Sequence, residues 1–161
     1  MNSAKYRAIQ AEDNPHLTRI ITSIFEDMQV PNEGTAYEDS TIFDLFSSFA
    51  KPRSFYFVLE ENNLVLGGAG IAPLAGASDD VCELQKMYLD PLVLGQGHGT
   101  KLLGHCLKKA IELGYKKCYL ETMSNMKTAQ SLYLKNGFTY AKERMGSTGH
   151  YACPIWMVKN L

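Results

Sequence analysis

Close cysteine pairs, blocks of like charge and long apolar runs are all missing from this sequence, and each absence removes a class of protein. Cys82, Cys106, Cys118 and Cys153 lie far apart, without the tight spacing of a zinc or redox site. They read as reduced, mostly buried thiols, and no metal is expected. Lys and Arg number 16 against 17 Asp and Glu, a formal charge of −1. Because these charges are interspersed, neither a nucleic-acid face nor a polybasic membrane anchor is expected. Met1 to Gln10 lack the basic and apolar regions of a signal peptide, and no apolar run is long enough to cross a bilayer. A soluble, cytoplasmic protein is the expectation.

What is present suits one compact domain over residues 1–161. A chain of this length with 45% hydrophobic residues can bury a proper core. A short strand around Lys5 to Ile9 precedes Asn14-Pro15, a cap and first-turn pair. Leu17, Ile20, Ile21, Ile24, Phe25 and Met28 then recur with helical spacing. A second helical stripe reads Ile42, Leu45, Phe46, Phe49 and Ala50, closed by Pro52. Ser54 to Glu60 and Leu64 to Pro73 are β-rich runs joined at Asn62-Asn63, a hairpin signal. Val81 to Leu89 form the next strand. A third helix opens at Gly95 to Gly99, with Leu102, Leu103, Cys106, Leu107, Ala110 and Ile111 as its inward face, and ends at Gly114. Lys117 to Met123 make a fifth strand and Asn125 to Asn136 a fourth helix ending at Gly137. Two last strands lie near Phe138 to Ala141 and Tyr151 to Val158. No internal repeat or linker interrupts the pattern.

The most informative segment is Leu89-Asp90-Pro91-Leu92-Val93-Leu94-Gly95-Gln96-Gly97-His98-Gly99. Alternate glycines between a strand and a helix let the backbone turn sharply and offer several unpaired N–H groups to one anion. A plain glycine-rich turn would look the same in isolation. The dinucleotide-binding motif needs a first βαβ unit, and the nucleoside-triphosphate loop needs Gly-Lys-Ser/Thr. Thr100-Lys101 stand in the wrong order for the latter, and the turn comes after four strands and two helices.

The chain here resembles the GNAT superfamily of acyl-CoA-dependent N-acetyltransferases, over nearly its whole length. In that family an aliphatic-x-Pro strand end is followed by Arg/Gln-Gly-x-Gly-x-Gly/Ala, matched by Leu89-Asp90-Pro91 and Gly95 to Gly99. A second signature, Ala-x-x-Leu/Ile-Tyr-x-x-x-Gly-Phe, is met by Ala129, Leu132-Tyr133 and Gly137-Phe138. The resemblance implies a mostly antiparallel seven-stranded sheet flanked by four helices, with splayed, parallel fourth and fifth strands. It implies acetyl-CoA as co-substrate, its pyrophosphate on the backbone of Leu94, Gly95, Gln96, Gly97, His98, Gly99 and Thr100. The backbone of Met87, Tyr88 and Leu89 would serve the pantetheine and the oxyanion, with Asn125 and Ala129 beside the cofactor. Two positions depart from the pattern. Leu94 stands where Arg or Gln usually opens the glycine motif, and Met126 replaces an Asn that contacts the pantetheine arm.

The implied reaction needs particular groups. A lysine-like amine has a reference pKa near 10.4 and must lose a proton before it attacks a thioester. The oxyanion then needs hydrogen-bond donors and the leaving thiolate a proton donor. Glu83, upstream on the fourth strand, is the preferred base, directly or through water; the plainer alternative is a surface carboxylate paired with Lys86. Glu121 on the neighbouring strand competes for that role or binds the amine. Tyr133 matches the family tyrosine that faces the sulfur, although packing on Phe138 would also explain it. His150 is a weaker substrate-binding candidate, His98 counts for its backbone N–H, and His16 and His105 show no partner. Tyr37, Glu38 and Asp39 would wall the acceptor site and favour a cation. The acceptor is expected to be a primary amine of a small molecule, peptide or protein, and a homodimer is left open. The alternative function is a non-catalytic acyl-CoA-binding sensor or scaffold.

Overall fold

The computed structural model describes residues 3–34 and 39–161. Seven strands form one sheet: β1 Lys5–Ala8, β2 Phe55–Glu61, β3 Leu64–Pro73, β4 Val81–Leu89, β5 Lys117–Thr122, β6 Thr139–Tyr140 and β7 Ile155–Asn160. Their order is β1-β2-β3-β4-β5-β7-β6, and every pair is antiparallel except β4 with β5. The hairpin at Asn62 and Asn63 is present, both residues having the positive φ that a tight two-residue turn requires. The four helices are α1 Asn14–Asp27, α2 Leu45–Ser48, α3 His98–Glu112 and α4 Lys127–Lys135.

Alternation of side chains along the strands divides the core into two layers. On one face Leu17, Ile21 and Phe25 of α1 pack with Ile42, Leu45, Phe49, Tyr56 and Val58. On the other, Leu102, Leu103, Cys106 and Ala110 of α3 meet Ala69, Ile71, Cys82, Leu84, Cys118 and Leu120, joined by Tyr133 of α4 and by Phe138. All four cysteines are free and buried. Among the described residues no helix is long and apolar enough to cross a membrane.

Three expectations need correction. The second helix is one turn, not a stripe from Ile42 to Ala50: Ser40–Phe43 form a 3-10 turn and Asp44 has φ −146°, which breaks the helical path. The Asp44 carboxylate then accepts the Ser47 N–H and caps the new turn, leaving Phe46 exposed. Ile111 faces solvent rather than the core, because it lies one position beyond the stripe that ends at Ala110. The last strand begins at Ile155, not Tyr151.

The α3 stripe gives a direct stability test. Leu103 is fully buried whereas Ile111 is 57% exposed. Leu103→Ala is expected to cost about 2–5 kcal/mol in urea unfolding, and Ile111→Ala to stay within about 0.5 kcal/mol of the parent.

Candidate active site

The parallel pairing of β4 with β5 covers only Val81 to Glu83 against Lys117 to Tyr119. Beyond that the two strands separate, and a groove of about 650 Å³ opens between them. Its walls include Leu84, Met87, Tyr88 and Leu89 of β4, Leu120, Glu121 and Thr122 of β5, and the start of α3 and α4.

On its other edge β4 carries a bulge. Gln85 pairs with Gly70 but Tyr88 with Gly68, so β4 holds one extra residue, and Lys86 takes φ +51°. The buried Tyr56 hydroxyl donates to the Lys86 carbonyl at 2.7 Å and fixes the distortion.

At one end of the groove lies the glycine turn. Gly95 and Gly97 have φ +76° and +84°, and an added Cβ at either would meet nothing within 4 Å. The space before this turn is open. The N–H groups from Gly95 to Thr100 donate to no acceptor among the described residues, and they gather at the N-terminus of α3, where an anion is favoured. Leu94, Gly95, Gly97, Gly99 and Thr100 line the groove. The other two motif side chains turn away: Gln96 Nε2 donates to the Leu92 carbonyl at 3.1 Å, and buried His98 hydrogen-bonds Tyr6 through Nδ1 at 2.8 Å. His105 also finds a partner, stacking on Tyr6.

Asn125, Ala129 and Tyr133 line the opposite wall. Asn125 Nδ2 donates to the Met28 carbonyl. Tyr133 packs on Phe138 and also lines the groove. Among the described residues its hydroxyl finds no hydrogen-bond partner, and burial raises its pKa, which keeps the phenol protonated.

A smaller cavity of about 60 Å³ adjoins this groove and shares Leu84, Lys86, Tyr88, Glu121, Thr122 and Met126 with it. Glu83, Glu121 and His150 meet here, with oxygen and ring-nitrogen atoms within 4.8 Å of one another. Glu83 is neither at a sheet edge nor paired with Lys86. It is 5% exposed and accepts a hydrogen bond from Gln85 Nε2 at 2.5 Å. Burial pushes its carboxyl up to about 7, against the Gln85 bond and with help from the Glu121 charge.

Glu121 is differently committed. It accepts from Tyr119 Oη at 2.7 Å and from the Thr148 hydroxyl, and lies 3.2 Å from Arg144 Nε. This clamps the loop of residues 144–153 onto the sheet and brings His150 to the cavity. Burial lowers the His150 pKa, the Lys86 charge adding to the effect, so the imidazole is neutral at physiological pH. Lys86 itself pairs with Asp39, Nζ to Oδ2 at 3.0 Å. Asp39 is therefore already matched, while Tyr37 and Glu38 lie outside the described residues.

Tyr56, Arg144 and Thr148 also belong to the site, although nothing in the sequence points to them, and Lys86 reads there only as a surface partner for Glu83. No local pattern marks the first three, since their partners are distant in sequence.

A buried carboxyl in the small cavity, with a protonated phenol and a turn of free amides in the groove that adjoins it, suits acyl transfer from a phosphate-bearing carrier. Residues 18–138 match the acetyltransferase (GNAT) family. The chain belongs to that family and is an acyltransferase. It is similar to YjgM of Escherichia coli strain K12, an uncharacterised N-acetyltransferase, at 36% identity over 156 residues, 96% of this chain and 93% of that protein. Its fold aligns with a GNAT-family acetyltransferase from Staphylococcus aureus Mu50 over 99% of both chains, with TM-score 0.85 and 18% identity. The PaiA N-acetyltransferase from Thermoplasma acidophilum, in complex with coenzyme A, aligns over 99% of both chains with TM-score 0.75 and 18% identity.

The burial of Glu83 has a consequence for stability. Folding raises this carboxyl from its ordinary 4.5 to about 7, so the folded state binds more protons than the unfolded one between those values. Its contribution to stability therefore falls as pH rises through that window, and the penalty is complete above about pH 7. Glu83→Gln is expected to be more stable than the parent at about pH 8, by up to about 3 kcal/mol. In urea titrations the gap should close below about pH 5.

Proposed function

We propose that this chain transfers an acetyl group from acetyl-coenzyme A to a primary amine, acting as one domain over residues 1–161. The observation that carries this reading is Glu83, a buried carboxyl brought to about 7 beside a groove that ends in unpaired amides. A group half-ionised near neutral pH is suited to take a proton from an ammonium ion and release it again.

The residues present fit the co-substrate. Amides of Gly95 to Thr100 would hold the pyrophosphate, and the freed edge of β4 at Met87, Tyr88 and Leu89 the pantetheine. Leu94, half exposed on the groove, offers apolar surface in place of a charged side chain. Bound there, acetyl-coenzyme A supplies an activated thioester carbonyl. Glu83 accepts the proton of the entering amine, directly or through water, so that the nitrogen lone pair can form the new C–N bond as the C–S bond breaks. Backbone N–H groups at the bulge stabilise the developing oxyanion, and the Tyr133 phenol donates to the departing sulfur. Glu121 serves chiefly to hold the 144–153 loop, because its oxygens are occupied by Tyr119, Thr148 and Arg144.

Free-thiol release from acetyl-coenzyme A against a panel of amines tests the reading. Tyr133→Phe keeps the packing on Phe138 and should lower kcat by about 10²- to 10⁴-fold with little change in coenzyme A affinity. Glu83→Gln should flatten the rise in rate that the parent shows through about pH 7. Gly97→Ala, which sets a Cβ before the amides, should weaken coenzyme A binding in calorimetry. Parent-like turnover by both the Tyr133 and Glu83 variants across the pH range would remove their assigned roles. Binding of coenzyme A without turnover of any amine would leave an acyl-CoA-binding module instead.

A further inference from the structure

The charges around the small cavity carry information about the acceptor. Glu121 is matched by Arg144 and Asp39 by Lys86. Of the carboxylates lining this cavity among the described residues, only Glu83 has no cation on it. One ammonium group is thus provided for, and a second would meet Lys86 rather than a free acid. Like charge there is costly.

Lys86 supplies the complementary half. Its side chain is only 3% exposed, yet it lines both the small cavity and the long groove. An ammonium has three N–H donors, and among the described residues its hydrogen bond runs to Asp39 Oδ2. Asp39 is itself held by the Thr41 N–H at 3.0 Å, and among the described residues no second acceptor is found for the Lys86 ammonium. Buried N–H donors on a cation are best satisfied by an anionic oxygen. The cavity volume of about 60 Å³ suits the reacting end of an acceptor in which amine and carboxylate lie close together.

Resting on the acetyltransferase reading, we propose that the acceptor is a small amino acid, its amine delivered to Glu83 and its carboxylate received by Lys86. The transfer then converts the ammonium into an amide and leaves the carboxylate unchanged.

The test compares matched acceptors with the full-length protein and acetyl-coenzyme A: glycine, alanine, serine and methionine, each against its own carboxamide, with spermidine as a polycation. At least one amino acid should exceed its carboxamide in kcat/KM by about 10- to 100-fold, mainly through KM. Spermidine should be the poorer acceptor. Lys86→Met should bring that acid down to the level of its carboxamide, and Lys86→Arg should retain the preference. Should Lys86→Met not fold, the parent's acid-to-carboxamide ratio decides alone. Carboxamides or spermidine turned over as well as the acids would overturn the carboxylate assignment while leaving the acetyltransferase reading standing. Thiol release with none of the acceptors, despite coenzyme A binding, would overturn the proposal; turnover of other amines in the wider panel would show that the acetyltransferase reading survives it.

Discussion

One extra residue in β4 determines how the centre of the protein is arranged. Before the bulge, Cys82 and Leu84 face the α3 layer; after it, Met87 and Leu89 do. The parity of the strand has flipped. Without the insertion, strict alternation would direct Lys86 towards α3 together with Cys82 and Leu84. With it, Lys86 and Tyr88 share a cavity with Glu83, Phe25 and Val30 on the α1 side. A φ of +51° at a lysine is unfavourable, and the buried Tyr56 hydroxyl on the Lys86 carbonyl is one of the interactions that hold it there. The same distortion bends β4 away from β5, so an opening forms in the middle of the sheet rather than at its rim.

Such an opening places polar groups where water is scarce, and the surrounding side chains are arranged to satisfy them. Glu121 is enclosed by two hydroxyls and a guanidinium from the far end of the chain. Lys86 draws Asp39, and with it the segment before α2, towards the sheet. Breaking either pair by removing one partner would leave a buried charge unmatched, a larger loss than the pair's net contribution to stability. These ion pairs therefore act as ties that fix two loops over the cavity, and their main effect is on its shape. Glu83 is the exception, left with a neutral amide as its partner, and this is why burial can move its proton affinity so far.

Much of the architecture was legible because it depends on local patterns. The helical stripe of α1, the Asn62-Asn63 turn, the glycines that end α3 and α4, and the crossover from Leu89 to Lys117 each leave a mark within a short window, and the parallel β4–β5 pair follows from that crossover. Glu83, Glu121 and the glycine turn stand out in the sequence because an acid inside an apolar strand and glycines between strand and helix are unusual in themselves, whereas Tyr133 is marked only by the resemblance to the family. The structure places all four along the groove and the cavity beside it. The length of α2 was not legible, because Asp44 both breaks the helix and caps its remnant, and hydrophobic spacing is blind to that. Nor was the role of Lys86. A bulge shifts every later side chain to the other face, and the residue that needs it, Tyr56, lies 30 positions away. The clamp on Glu121 spans similar separations, to Arg144 and Thr148.

The same burial that tunes Glu83 also suppresses a competing nucleophile. Cys153 lines the small cavity together with Glu83 and His150, and a thiolate there would be a strong rival to an amine for an acyl group. Burial pushes the Cys153 thiol up to about 11, and the Glu121 charge acts in the same direction. It stays protonated and weakly nucleophilic at neutral pH. Burial in this cavity thus acts on two ionisable neighbours with different results: it raises the carboxyl at 83 to about 7, within reach of neutral pH, while it makes the thiol at 153 too weak an acid to ionise there. Under the proposed reaction, selectivity for nitrogen over sulfur at this site follows from desolvation, with no steric barrier needed to exclude the cysteine.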